Sequence, residues 1–205
     1  MSHVEPTAHS LTLGIRRRSA SNYYLPVEIP TLETERLVLR PLAAADFEAW
    51  AEMYADPEFT GSLGYPDPLD RAEAWRMLAL VVGHWALRGF GMWAVAERRE
   101  PARLIGRIGC HQPEGWPDFE VGWGLARPYW GHGYATEGAR AALGYAFDVL
   151  ERPRVISLIS PANTRSAAVA RRLGERPVER IEFRGKPTDV WALDRSEWRA
   201  SGRAT

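Results

Sequence analysis

At 205 residues, with 45% hydrophobic and 25% charged residues, the chain has the size and composition of one globular domain with a sizeable core. Its formal net charge is zero, which argues against broad binding to nucleic acid or membrane. Cys110 is the only cysteine, no apolar run reaches membrane-spanning length and the first residues lack the apolar centre of a secretion signal, so a reducing, cytoplasmic setting is expected.

Residues 1–28 mix Ser, Asn and Thr with Arg16, Arg17 and Arg18 and hold no periodicity, so they read as a mobile N-terminal extension. The folded domain is expected over 29–200, with a short tail at 201–205. Leu37 and Leu39 alternate with Arg36, Val38 and Arg40 in a first strand over 33–41. Asp46 starts a helix carrying Phe47, Trp50, Ala51 and Tyr54, which Asp56-Pro57 ends. Asp70 starts a second, reaching about Leu87, with Trp75, Leu78, Val82 and Trp85 on one stripe until Gly89 stops it. Residues 92–97 and 104–111 read as antiparallel strands, and 119–126 as a third.

Alternation makes this third strand one-sided. Phe119, Val121, Trp123 and Leu125 point one way, while Glu120, Gly122, Gly124 and Ala126 point the other. A bare strand face calls for a close neighbour, either a ligand or a tightly packed helix. Immediately downstream stands Trp130-Gly131-His132-Gly133-Tyr134-Ala135-Thr136-Glu137. Its glycines allow a ligand to approach the backbone, and a helix opening at Ala135 aims unpaired N–H groups at an anion. Ala135, Ala139, Leu143, Phe147 and Leu150 give that helix its apolar stripe, with Gly138 and Gly144 off it. Val155-Ile156-Ser157-Leu158-Ile159 form a short apolar run without alternation, as in a strand covered on both faces. Strand, helix and buried strand together predict a parallel crossover, with its ligand at the carboxyl end of the first strand.

Asn163 caps the next helix, shares a face with Ser166, and Gly174 closes that helix. Residues 178–184 and 188–193 read as a hairpin around Gly185-Lys186-Pro187, with Trp191 and Trp198 as core or rim aromatics.

The run Trp130 to Glu137, followed by Asn163-Thr164-Arg165-Ser166 and Arg172-Leu173-Gly174, resembles the GNAT acetyltransferase superfamily. More narrowly it resembles the branch of the ribosomal-protein-alanine N-acetyltransferases, over roughly residues 30–198. The resemblance implies an α/β fold with a mixed, mostly antiparallel sheet, a parallel β-α-β crossover at the acetyl-CoA site and flanking helices. It implies acetyl-CoA as cosubstrate, with the pyrophosphate loop opening at Trp130 and the diphosphate held mostly by backbone N–H groups around Gly131, His132, Gly133, Tyr134, Ala135 and Thr136. Trp130 departs from the Gln or Arg that opens the family's loop. The resemblance also implies pantetheine pairing with backbone near Leu125 and Ala126, and contact with Asn163 and nearby Ser166.

Amine attack on the thioester requires a proton acceptor. Glu120 is the first candidate because it projects from the bare face, and His111 on the neighbouring strand is the second. Many relatives place a tyrosine acid where this chain has Ala170, and Ser166 is the weak substitute. At pH 7 roughly a tenth of an α-amine is already neutral, so a modest base suffices for a peptide N-terminus or small primary amine. The resemblance places the acceptor pocket over 58–67, with Phe59, Tyr65 and Trp116 as lining or packing residues. No metal is expected, and a homodimer stays open. A non-catalytic acyl-CoA-binding module is the alternative to an enzyme.

Overall fold

A computed structural model describes residues 27–200 of the protein. The expected extension, apart from Val27 and Glu28, and the 201–205 tail lie outside the described residues. Eight strands form one sheet in the order β1-β2-β3-β4-β5-β6-β8-β7. They are β1 (Leu32–Glu33), β2 (Leu37–Arg40), β3 (Met92–Glu97), β4 (Gly106–His111), β5 (Glu120–Leu125), β6 (Arg154–Ile159), β7 (Arg176–Phe183) and β8 (Lys186–Asp194). Every pairing is antiparallel except that of β5 with β6. The helices are α1 (Phe47–Ala55), α2 (Pro57–Ser62), α3 (Arg71–Arg88), α4 (Tyr134–Gly144), α5 (Thr164–Leu173) and α6 (Arg195–Ala200).

Alternation along the strands splits the core into two layers. Leu37, Leu39, Trp93, Ile108 and Val121 face Leu143 and Phe147 on and just after α4, whereas Met92 and Ala94 face Trp50, Tyr54, Phe59 and Leu78 of the first three helices. α4 comes close to the sheet because Gly138 has no side chain: a Cβ there would lie 2.6 Å from Ile108 Cδ1. This glycine therefore sits on the packed side of α4, contrary to the expectation that it lies off the stripe. Burial of the neighbouring Ala139, Ala142 and Leu143 offsets its helix penalty of about 1 kcal/mol.

Three other expectations change. Asp56-Pro57 ends α1 but also begins α2, since Pro57 occupies its first turn and Asp56 Oδ1 accepts the Glu58 N–H at 2.8 Å. On α3 the buried stripe is Ala74, Leu78, Val81 and Trp85, leaving Trp75 and Val82 exposed. Ala74 decides that rotation: the Trp50 indole donates to its carbonyl at 3.0 Å, at a place with no room for a larger side chain. The β7–β8 hairpin turns on Arg184-Gly185, both with positive φ, and Lys186 already pairs with Phe183. Trp191 and Trp198 are both core residues.

Candidate active site

Parallel pairing between β5 and β6 is confined to Glu120 and Ile156, beyond which the strands splay. Side chains hold the gap open. Ile156 N–H still reaches the Phe119 carbonyl at 2.9 Å. One step on, Ser157 Oγ rather than a backbone N–H meets the Val121 carbonyl at 2.8 Å, and Leu158 N–H turns to Glu120 Oε1 at 3.3 Å. Ser157 Oγ also lies 3.1 Å from Oε1 of the buried Glu175. The single hydroxyl hydrogen of Ser157 thus faces two acceptors, the Val121 carbonyl and Glu175 Oε1, and its bond to Glu175 works against protonation of that carboxyl. Burial nonetheless pushes the carboxyl up to about 8, helped by repulsion from Glu120.

Further along β5, Ala126 N–H donates to the Ile105 carbonyl at 2.8 Å, which fixes the phase of the antiparallel ladder. By that alternation the N–H and C=O of Trp123 and the N–H of Leu125 face the gap. The Leu125 carbonyl is covered by the Trp130 indole, which donates to it at 2.6 Å. An extended ligand can therefore add as a strand along Trp123 and Leu125.

The gap opens into a cleft of about 1340 Å³, floored by Trp123, Gly124 and Leu125 and roofed by Pro57, Glu58, Gly61 and Ser62 of α2. That volume exceeds the roughly 300–1,000 Å³ of ordinary small-ligand pockets and suits an elongated cofactor. Three contacts latch the roof. Asn163 Nδ2 donates to the Ser62 carbonyl at 2.9 Å, Arg127 pairs with Glu58 at 2.6 Å, and Lys186 Nζ donates to the Gly64 carbonyl at 2.9 Å. Asn163 meanwhile caps α5 through the Ser166 N–H at 3.0 Å.

At the far end, Gly131 and Gly133 adopt φ +80° and +83°, a left-handed conformation that side chains disfavour. Gly133 is the N-cap of α4, and the first helical bond runs from Glu137 N–H to the Gly133 carbonyl. The N–H groups of Tyr134, Ala135 and Thr136 consequently lack helical acceptors, the arrangement that can receive an anion. Glu137 clamps this turn from behind, accepting Thr34 Oγ1 at 2.6 Å and Arg36 N–H at 2.8 Å. Arg36 continues to the His132 carbonyl at 3.0 Å, while Arg140, Arg165 and Arg172 add cations to the cleft.

The cleft thus gathers Leu125, Trp130, Gly131, Gly133, Tyr134, Ala135, Thr136, Asn163 and Ser166 of the residues expected from sequence. Ala126 and His132 lie outside its lining, the first because its N–H is engaged with β4. Glu120 is also outside the lining; it is buried beneath Gly122, with Trp116 Nε1 donating to its Oε2 at 2.6 Å. Desolvation raises its pKa above the ordinary carboxylate range, and the bonds from Leu158 and Trp116 work against that. His111 is pushed down to about 3 by burial and by Arg107, and so is the weaker base. Ala170 is fully buried, so its position presents nothing to the cleft. On the bare face the packed neighbour is present, since Phe59 and Leu63 of the α2 segment cover Gly124, and the open cleft reaches the same residue. Sequence reasoning missed Ser157 and Glu175; a lone serine inside a buried apolar strand was the available signal.

The Acetyltransferase (GNAT) domain family matches residues 36–176. YkkB of Bacillus subtilis is 34% identical over 105 residues, which cover 50% of this chain and 60% of YkkB. The chain therefore spans less than two thirds of that relative's length. The uncharacterised N-acetyltransferase p20 of Bacillus licheniformis is 30% identical over 139 residues, 66% of this chain and 76% of p20. A solved acetyltransferase structure from Agrobacterium tumefaciens superposes with a TM-score of 0.72 at 35% identity, covering 84% of this chain and 98% of that one. Splayed strands, glycine turn and sequence likeness agree, and the chain belongs to the GNAT acetyltransferase family.

Proposed function

We propose that the protein transfers the acetyl group of acetyl-CoA to a primary amine, an α-amine of a peptide or a small molecule. The observation that carries this reading is the continuity of the cleft. One channel runs from a strand edge with unpaired backbone groups to a helix N-terminus with unpaired N–H groups, matching a pantetheine arm that ends in a diphosphate. Asn163 and Ser166 flank that channel from the start of α5.

In the reaction the amine nitrogen forms a bond to the thioester carbonyl carbon, and the C–S bond breaks. The amine proton passes to Glu120, directly or through one water, and CoA departs as thiolate. A carboxyl raised by burial suits a base working near neutral pH. Thiols have ordinary pKa values near 8.5, so the thiolate leaves without the tyrosine acid that Ala170 replaces. The narrower likeness to ribosomal-protein-alanine N-acetyltransferases is part of this proposal and rests on the motif residues.

Ala170 favours one rival, a regulatory module that binds acyl-CoA without catalysis. Thiol release from acetyl-CoA, followed with a panel of peptides and small amines, separates the two. Turnover with any acceptor removes the rival, whereas tight CoA binding without turnover removes the enzyme.

A further inference from the structure

Beneath α1 and α2 the sheet presents three ionisable side chains on a floor otherwise nearly bare. Arg107 pairs across from Gly124, Gly109 from Gly122 and His111 from Glu120, so all six share one face. Phe59 and Tyr54 stand over this floor on the helix side, their rings 5.1 Å apart. On the other side Trp116 packs edge-on against His111 at 4.7 Å and Phe183 at 5.0 Å. The hairpin turn holds Arg184 at φ +52°, costly for a long side chain, and lays its guanidinium over Trp116 at 4.8 Å.

The charges of this chamber do not balance. Arg107 makes no ion pair among the described residues, and its buried Nε has no acceptor. His111 Nδ1 is likewise buried without a hydrogen-bond partner, whereas the Tyr54 hydroxyl is within the influence of the Arg107 guanidinium, which acts on it as a donor and a charge. Arg107 and Arg184 both act electrostatically on Glu120 and His111. Glu120 offsets one of these two cations while its oxygens also accept from Trp116 and the Leu158 N–H, which leaves one positive charge over. The remaining positive charge is unfavourable in this half-buried setting unless a ligand supplies its counter-charge.

We propose that the acceptor amine carries a carboxylate, bound by Arg107 with Arg184 at the rim, so that the substrate is an amino acid-like molecule and not a polycation. The identity of the reacting amine rests on the acetyltransferase reading; the anion site rests on the chamber. The guanidinium fork matches a carboxylate in two parallel hydrogen bonds. Two fixed cations also disfavour a bound ammonium and so favour the neutral, nucleophilic amine.

The test compares free amino acids with their carboxamides, and with spermidine, by thiol release and by calorimetric binding to the CoA-loaded protein. The carboxylate form is expected to bind and react roughly tenfold or more better than its carboxamide, with spermidine the poorest. In Arg107→Gln that ratio should fall toward one. Arg184→Gln, an exposed substitution, should reduce it partially and serves if Arg107→Gln does not fold. Equal use of carboxylate and carboxamide by the unaltered protein, with turnover of both, overturns the anion site and keeps the enzyme. A calorimetric preference for the carboxylate without turnover of any acceptor does the reverse.

Discussion

At residues 131–136 the groups facing the cleft are backbone N–H groups held by two left-handed glycines, whereas around Glu120 they are side chains gathered from β4, β5, β6 and the β7–β8 hairpin. The turn is local: five or six consecutive residues set its conformation, and a helix terminus supplies its polarity. The chamber is non-local, and its properties come from burial, which raises Glu120 and Glu175 and lowers His111. Binding of a constant ligand part can rest on backbone geometry, while chemistry and acceptor choice reside in side chains that vary independently.

The sharpest way to break this contrast is Gly133→Val. A side chain at φ +83° is strained, and its Cβ would lie 3.3 Å from the Arg36 guanidinium. CoA affinity should fall on the order of a hundredfold, measured by calorimetry on protein whose circular dichroism remains native. Undiminished affinity would mean that the turn does not hold the diphosphate.

Glu120→Gln should act at the other end. It keeps the shape but removes the base and, with one acceptor oxygen in place of two, one of the bonds from Trp116 and Leu158, so kcat should drop roughly tenfold to a thousandfold while CoA affinity holds. The ascending limb of the pH–rate profile should vanish with it. An unchanged profile assigns the proton to another group.

The smallest effect, on stability, concerns Glu175. Its folded pKa near 8 stands above the model-peptide value of 4.5, so between these pH values the folded state holds a proton that the unfolded chain has lost. Stability therefore declines as pH rises from about 4.5 to 8. His111 runs oppositely: its folded value near 3 lies below 6.5, and stability falls as pH drops through that window. The two slopes oppose each other between 4.5 and 6.5, where urea midpoints should be highest. Glu175→Gln should flatten the alkaline slope and add roughly 1–3 kcal/mol at pH 8. A variant as pH-sensitive as the parent would place the titration elsewhere.

The glycine turn, the β5–α4–β6 crossover and the Asn163 cap were legible because each depends on neighbours within a few residues. Trp130 was read as a departure from the loop pattern, yet its indole covers the Leu125 carbonyl, a contact that appears only once the turn folds back on β5. The face of α3 was misread because Trp75 and Ala74 are adjacent in sequence, and only packing against Trp50 chooses the smaller for the interior.

The sequence by itself determined where the chain turns, which segments alternate and where an anion can meet a helix, since backbone preference and periodicity are written in consecutive residues. Tertiary structure alone decided that Ser157, Glu120 and Glu175 hold two strands apart and that Arg107 faces Glu120 and His111. The physical reason is desolvation: a carboxyl, imidazole or guanidinium takes its chemical character from what surrounds it, and those surroundings come from distant parts of the chain.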